Sequence, residues 1–199
     1  MTKIKLNPRT LTLVLFIVVI GLSRVLIPLI GDLEGLANYS AVGALAIFGA
    51  AYFNKTKSLS FPILTLLLSD IVLSLTVYKS YSNGFLYEGW YWIYIAFALM
   101  AVVSKFLMTK INASGFLIAT LATVLIHWIV TDFGIWYGSA FYPQTFAGFV
   151  DVLYKAIPFE FRFLYGTLGY GFVMFGLFEA LTMKFPVLSI SARRSAASN

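Results

Sequence analysis

The chain has 199 residues, of which 60% are hydrophobic, 18% aromatic and only 11% charged, with a net charge of +6. A water-soluble domain of this length needs more polar surface to cover its core, so composition points to one domain in a bilayer. The basic residues are spread through short segments and both termini rather than gathered in a patch, which argues against nucleic acid as a partner.

A membrane-crossing helix takes about 20 apolar residues to cover about 30 Å of hydrocarbon. Hydropathy predicts six segments, at 11–31, 41–53, 59–78, 90–109, 113–133 and 161–183. The first follows Lys3, Lys5 and Arg9, an outline shared with secretory signals. No small-residue cleavage site follows, so it reads as a retained helix. Arg24 lies about 20 Å along it at the helical rise. The second segment, Ala41 to Phe53, is short and rich in glycine and alanine. It must therefore be deeply packed or extended at its N-terminal end, and Ala46 and Ala50 form a small-xxx-small pair on it. Asp70 lies about 16 Å along the third segment. The fourth opens on Trp90 and Trp92. On the fifth, Thr120, Thr123, His127 and Thr131 follow steps of three, four and four, which puts them on one face. A polar stripe in lipid faces protein or water, either bonding neighbouring helices or meeting a ligand.

The connection from Gly134 to Phe159 is too long for a simple hairpin. Thr145 is placed to cap a short helix with Phe146, Phe149, Val150, Leu153, Tyr154 and Ile157 on its apolar face. Asp151 and Lys155 pair at i,i+4 on the other side. With only about twelve residues before Pro158 it cannot span. It reads as an extra amphipathic helix over the outer face, either passive or a lid above a pocket. On the sixth segment Gly166, Gly169 and Gly176 make a smooth face, an internal seam or a docking surface. The expected architecture is thus all-α, a six-transmembrane-helix bundle over residues 1–185, with a polar tail at 186–199.

Loop charges orient the bundle. With the N-terminus inside, Lys3, Lys5, Arg9, Lys55, Lys57, Lys105, Lys110, Lys184, Arg193 and Arg194 fall on the cytoplasmic side. Only Arg24, Lys79, Lys155 and Arg162 fall on the other, so both termini are expected in the cytoplasm. Arg24, Asp70 and His127 then lie beyond the midplane towards the outside, where ionisable groups are functional candidates by default. Arg24 and Asp70 are expected to pair. All four tryptophans (Trp90, Trp92, Trp128 and Trp136) also fall in the outer half. Ordinary aromatic belts decorate both interfaces, so a one-sided belt suggests rings that line a pocket for a planar ligand.

There is no cysteine and one histidine, which excludes disulfides, thiolate nucleophiles and any site needing two imidazoles. No GxxxxGK[ST], HExxH or GxSxG motif and no paired intramembrane aspartates occur. The chain is therefore not expected to be an ATPase, a protease or a metal enzyme, nor to carry an intrinsic cofactor.

The run from Asn38 to Phe53, NYSAVGALAIFGAAYF, resembles the Asn-Phe-Ser-Pro-x-x-Ala-x-Ala-Leu-Phe signature of an uncharacterised bacterial family of small inner-membrane proteins. Thr131-Asp-Phe-Gly-Ile-Trp136, Tyr142-Pro-Gln-Thr145 and Ala156-Ile-Pro-Phe159 resemble its second signature, and the resemblance runs from about residue 20 to 180. Ala37, Ala41 and Asp132 stand where that family usually has proline, proline and asparagine. The family is similar in size and topology to the substrate-binding S components of energy-coupling-factor vitamin transporters. That likeness implies six helices in the bacterial inner membrane and an outward-opening pocket for a planar vitamin or a corrinoid. It also implies a coupling protein and ATPases as partners. On this reading Arg24, Asn38, Asp70, His127, Asp132, Trp136, Tyr142 and Gln144 bind the substrate, while Ala46, Ala50, Gly166 and Gly169 pack helices or dock a partner. The competing readings are a structural or assembly protein whose buried polar groups only hold helices together, and an enzyme on a lipid-linked substrate.

Overall fold

The computed structural model describes residues 7–29, 39–53, 57–81 and 85–189. Among the described residues six α-helices follow in order: α1 (Pro8–Leu29), α2 (Val42–Tyr52), α3 (Lys57–Leu75), α4 (Trp90–Leu107), α5 (Ala113–Trp136) and α6 (Phe146–Lys184). No strand occurs among the described residues. All but α2 are long and apolar enough to cross a membrane, so the chain is a membrane protein in a lipid environment.

Neighbours in sequence run in opposite directions. The start of α1 meets the turn just after α6, where the Arg9 guanidinium donates to the Leu188 carbonyl at 2.5 Å. This is the near end of the bundle. At the opposite, far end, α1 meets α3 and the start of α4 through Arg24, Asp70 and Tyr94.

Many of the bundle's large apolar side chains face outwards. On α1 the outward positions are Leu11, Leu15, Val18, Leu22, Leu26 and Leu29, at helical spacing, while Leu13, Ile17 and Gly21 are buried. Gly21 packs against the Thr65 side chain of α3. The solvent is the reason. Lipid is as apolar as leucine, so helices associate through close packing of small residues rather than by hiding large ones.

The short second segment is deeply packed, as its composition required. Every residue of α2 except Ala51 is buried, and it packs on α3, α4, α5 and α6. Ala46 and Ala50 have almost no exposed surface, so this pair is an internal seam. Phe48 centres an aromatic cluster with Phe16, Tyr52, Phe175 and Phe178, at centroid distances from 4.6 to 5.9 Å. At eleven residues, α2 covers only about 16 Å, so its end carbonyls lie among other helices. Lys105 of α4 reaches them, donating from Nζ to the Ala50 and Phe53 carbonyls at 2.8 Å each. That is the favourable charge for a helix C-terminus.

Two expectations about the last third need correction. The amphipathic segment after Thr145 and the sixth membrane segment form one helix, α6, of 39 residues. Thr145 caps it as expected, accepting from the Gly148 N–H at 3.2 Å. Pro158 costs one backbone bond, to the Tyr154 carbonyl. Long stretches of helix on both sides carry the chain through that gap. The first turns of α6 also pack through a different face from the one its large residues mark. The buried positions are Gly148, Val152, Ala156, Glu160 and Phe163, while Phe146, Val150 and Tyr154 point away from the bundle. Small residues again make the contact. The Asp151–Lys155 pair forms at 2.8 Å on the exposed side. Gly166 is buried against the Tyr39–Ser40 backbone, but Gly169 and Gly176 face open space, so the three glycines are not one seam.

Candidate functional site

Polar side chains buried between helices gather in two groups at the far end. In the first, Arg24 of α1 pairs with Asp70 of α3 at 3.0 Å, as the sequence led us to expect. The same guanidinium donates to Ser69 Oγ at 2.5 Å. The second Asp70 oxygen accepts from Tyr94 at 3.1 Å and from Tyr87 at 3.4 Å. Asp70 is almost wholly buried, and Arg24 keeps 15% of its side-chain surface beside a small cavity of about 60 Å³. Every charge in this group has a partner.

The second group joins α5 and α6. His127 Nδ1 lies 2.8 Å from Glu160 Oε1, and the imidazole stacks on Phe163 at 3.9 Å. Thr131 donates to the His127 backbone carbonyl at 2.7 Å. Of the predicted stripe, Thr120 and Thr123 are fully buried, while His127 and Thr131 are half-buried. Asp132 is 4% exposed and Glu160 7%. One oxygen of each, Asp132 Oδ2 and Glu160 Oε2, has no hydrogen-bond partner. This second group is not saturated.

Trp136, Tyr142 and Gln144 serve the turn between α5 and α6. The Trp136 indole N–H donates to the Pro143 carbonyl at 2.8 Å. The Gln144 carboxamide accepts from the Gly138 N–H at 3.0 Å and donates to the carbonyls of Trp136, Tyr142 and Ser139 at 2.8–3.2 Å. Tyr142 receives the Lys155 ammonium over its ring at 5.2 Å. The far-end polar residues are thus not brought together as one pocket. No hydrogen bond or ion pair among the described residues links the Arg24 group to the His127 group. Asn38 lies outside the described residues.

An open cleft of about 630 Å³ lies between the start of α4 and the end of α5. Tyr87, Tyr91, Trp92, Tyr137 and Phe141 line it with Thr131, and Glu88 is the charged residue on its wall. Tyr87 belongs both to the cleft and to the Asp70 group, and Thr131 belongs both to the cleft and to the His127 group. Gly134 sits where the Trp92 ring crosses α5, and a side chain there would run into the indole.

Sequence reasoning missed several of these residues. Glu160 completes the step-of-four series from Gly148 through Val152 and Ala156, a signal obscured by reading the apolar face from its largest members. Tyr87 and Tyr94 carried none, because nothing local ties a tyrosine to an acid on another helix. Arg9 was counted as a loop charge, yet it is 6% exposed, and its guanidinium lies against the rings of both Tyr52 and Phe178, at 5.7 and 5.4 Å from their centroids. Beside it the Tyr52 hydroxyl donates to Glu179.

Taken together, these features define a helical membrane protein with buried polar groups and an aromatic cleft at one end. Its sequence matches, over residues 4–188, the model of a family of unknown function, DUF6580, and the chain belongs to that family. No curated protein and no solved structure matches it.

Proposed function

We infer that the chain is a substrate-binding membrane component that captures a small water-soluble, vitamin-like molecule in the far-end cleft. The observation that carries this reading is the cleft's position. It has the volume of a small-molecule site, carries five aromatic rings on its wall, and touches both buried polar groups through Tyr87 and Thr131. Ring faces stack on planar ligands, and the neighbouring polar groups would fix orientation. On this reading the chain binds rather than catalyses. The family's resemblance in size and topology to S components of energy-coupling-factor transporters suggests the same class, with the far end outside the bacterial inner membrane and separate ATPase subunits supplying energy. The particular compound, a planar vitamin or a corrinoid, is left to the test.

The test is thermal unfolding of purified protein against a panel of vitamins, their precursors and corrinoids. A ligand present at 100 times its Kd stabilises by about 2.7 kcal/mol. Its binding should also change tryptophan emission through Trp92, and Trp92→Ala should weaken it. A panel that stabilises nothing, on protein shown to be folded, would reject the reading. The alternative, a purely structural bundle, draws on one observation: Arg24 and Asp70 are saturated by each other and by Ser69, Tyr87 and Tyr94.

A further inference from the structure

The His127–Glu160–Asp132 group contains more acid than base. With all sites deprotonated, one imidazole and two carboxylates carry a net charge of −2. His127 and Glu160 face each other at 2.8 Å, and one proton makes that pair neutral whichever of the two holds it. Asp132 then remains, within electrostatic reach of both but hydrogen-bonded to neither.

The cations nearby are engaged elsewhere. On α6, Lys155 is bonded to Asp151 on the exposed side, and the Arg162 guanidinium lies over the Phe159 ring at 5.8 Å. On α4, Tyr94 is committed to Asp70. On α2 the titratable residue is Tyr52, at the near end. No lysine or arginine among the described residues forms an ion pair with Asp132 or Glu160. A bare carboxylate in such a place carries a heavy desolvation cost and must acquire a compensating positive charge.

We propose that Asp132 and Glu160, with His127 beside them, form a binding site for one exchangeable proton between α5 and α6. Three features single out the proton. Asp132 Oδ2 and Glu160 Oε2 are buried oxygens without partners, so each can take a hydrogen where it stands. Calcium or magnesium would need about six oxygen ligands, and the described residues hold no group of three or more His, Asp or Glu side chains placed to hold a metal ion. The open cleft also comes near, because Thr131, the residue before Asp132, lines it. Proton exchange at this site is independent of whether the cleft captures a solute, and it supplies a means of coupling such a solute to a proton gradient.

The test is carbodiimide labelling of the full chain in lipid nanodiscs. Dicyclohexylcarbodiimide is apolar and adds to carboxyl groups that carry a proton and are shielded from water. Peptide mass spectrometry should find the adduct on Asp132 or Glu160 at neutral pH, with loss of labelling as the solution is made alkaline. Asp70 is the internal control, because it is as deeply buried but ion-paired with Arg24, and it should stay unlabelled. Equal labelling of Asp70, or none on Asp132 and Glu160 even in mild acid, overturns the proposal. Infrared spectroscopy gives a second readout. The protonated-carboxyl C=O band should be lost in the Asp132→Asn, Glu160→Gln double variant, and a band of unchanged intensity overturns the proposal. Neither readout involves a solute, so a failure here is distinct from an empty ligand screen.

Discussion

Replacing Arg24 by Met tests whether the far-end ion pair carries the energy its burial demands. The change leaves the Asp70 carboxylate, 1% exposed, with only the hydroxyls of Tyr94 at 3.1 Å and Tyr87 at 3.4 Å. Breaking a buried pair by removing one partner costs about 3–5 kcal/mol, and the depth of Asp70 puts this variant near the upper figure. Asp70→Leu should cost less, near about 3 kcal/mol on the same scale. Its stranded guanidinium keeps 15% of its surface, borders a cavity and retains Ser69 at 2.5 Å. The double variant strands only hydroxyls, at about 1–3 kcal/mol for the set. Against singles that together cost about 8 kcal/mol, it should therefore be more stable than their sum by about 5 kcal/mol. The assay is reversible denaturant unfolding in mixed micelles, followed by tryptophan emission, for wild type, both singles and the double. Harmless singles, or strictly additive losses, would refute the claim that the two charges depend on each other.

Lys105→Met removes the two bonds to the Ala50 and Phe53 carbonyls and should cost about 1–3 kcal/mol. Hydrogen exchange should rise at the end of α2 ahead of the rest of the bundle, with Lys105→Arg restoring part of the loss. Gly134→Ala should displace the Trp92 ring that crosses it, costing about 1–3 kcal/mol as overpacking and shifting tryptophan emission. An unaltered spectrum and melt would show that the contact is not close. The chain has no native cysteine, so single cysteines can report topology on an otherwise unchanged background. Residues 55–57 and the C-terminal tail should be shielded from membrane-impermeant thiol reagents in intact cells, while 83–84 and Gln144 should react. A reactive tail would reverse the orientation inferred from the basic residues.

The fold was legible where physics is local. Spans follow from runs of apolar residues, and α3, α4 and α5 begin within two residues of the sequence expectation. The Arg24–Asp70 pair was legible because two charges deep in apolar runs must neutralise each other. The fate of the segment after Thr145 was not, because Pro158 usually ends a helix and only tertiary packing decides that it does not. Its packing face was misread for a related reason. Size marks the buried side in water, but in lipid Gly148 and Ala156 mark it better than Phe146 and Tyr154. Trp136 and Gln144 were legible as a motif but not as a geometry, since no pattern shows that a carboxamide will be spent on its own turn.

The length of α6 has a mechanical consequence. Its 39 residues extend about 58 Å, nearly twice the hydrocarbon thickness of about 30 Å. The stretch from Phe146 to Pro158 is an arm about 18 Å long, hinged at the one place where the backbone ladder lacks a rung. A swing of about ten degrees at Pro158 would carry the tip of such an arm about 3 Å. The tip is not free to travel alone, because Gln144 fastens it to the carbonyls of Trp136 and Ser139 at the end of α5. A swing there would carry the joined tip of α5 and α6 past the α5 wall of the cleft, while Glu160, two residues beyond Pro158, stays on the fixed side of the hinge.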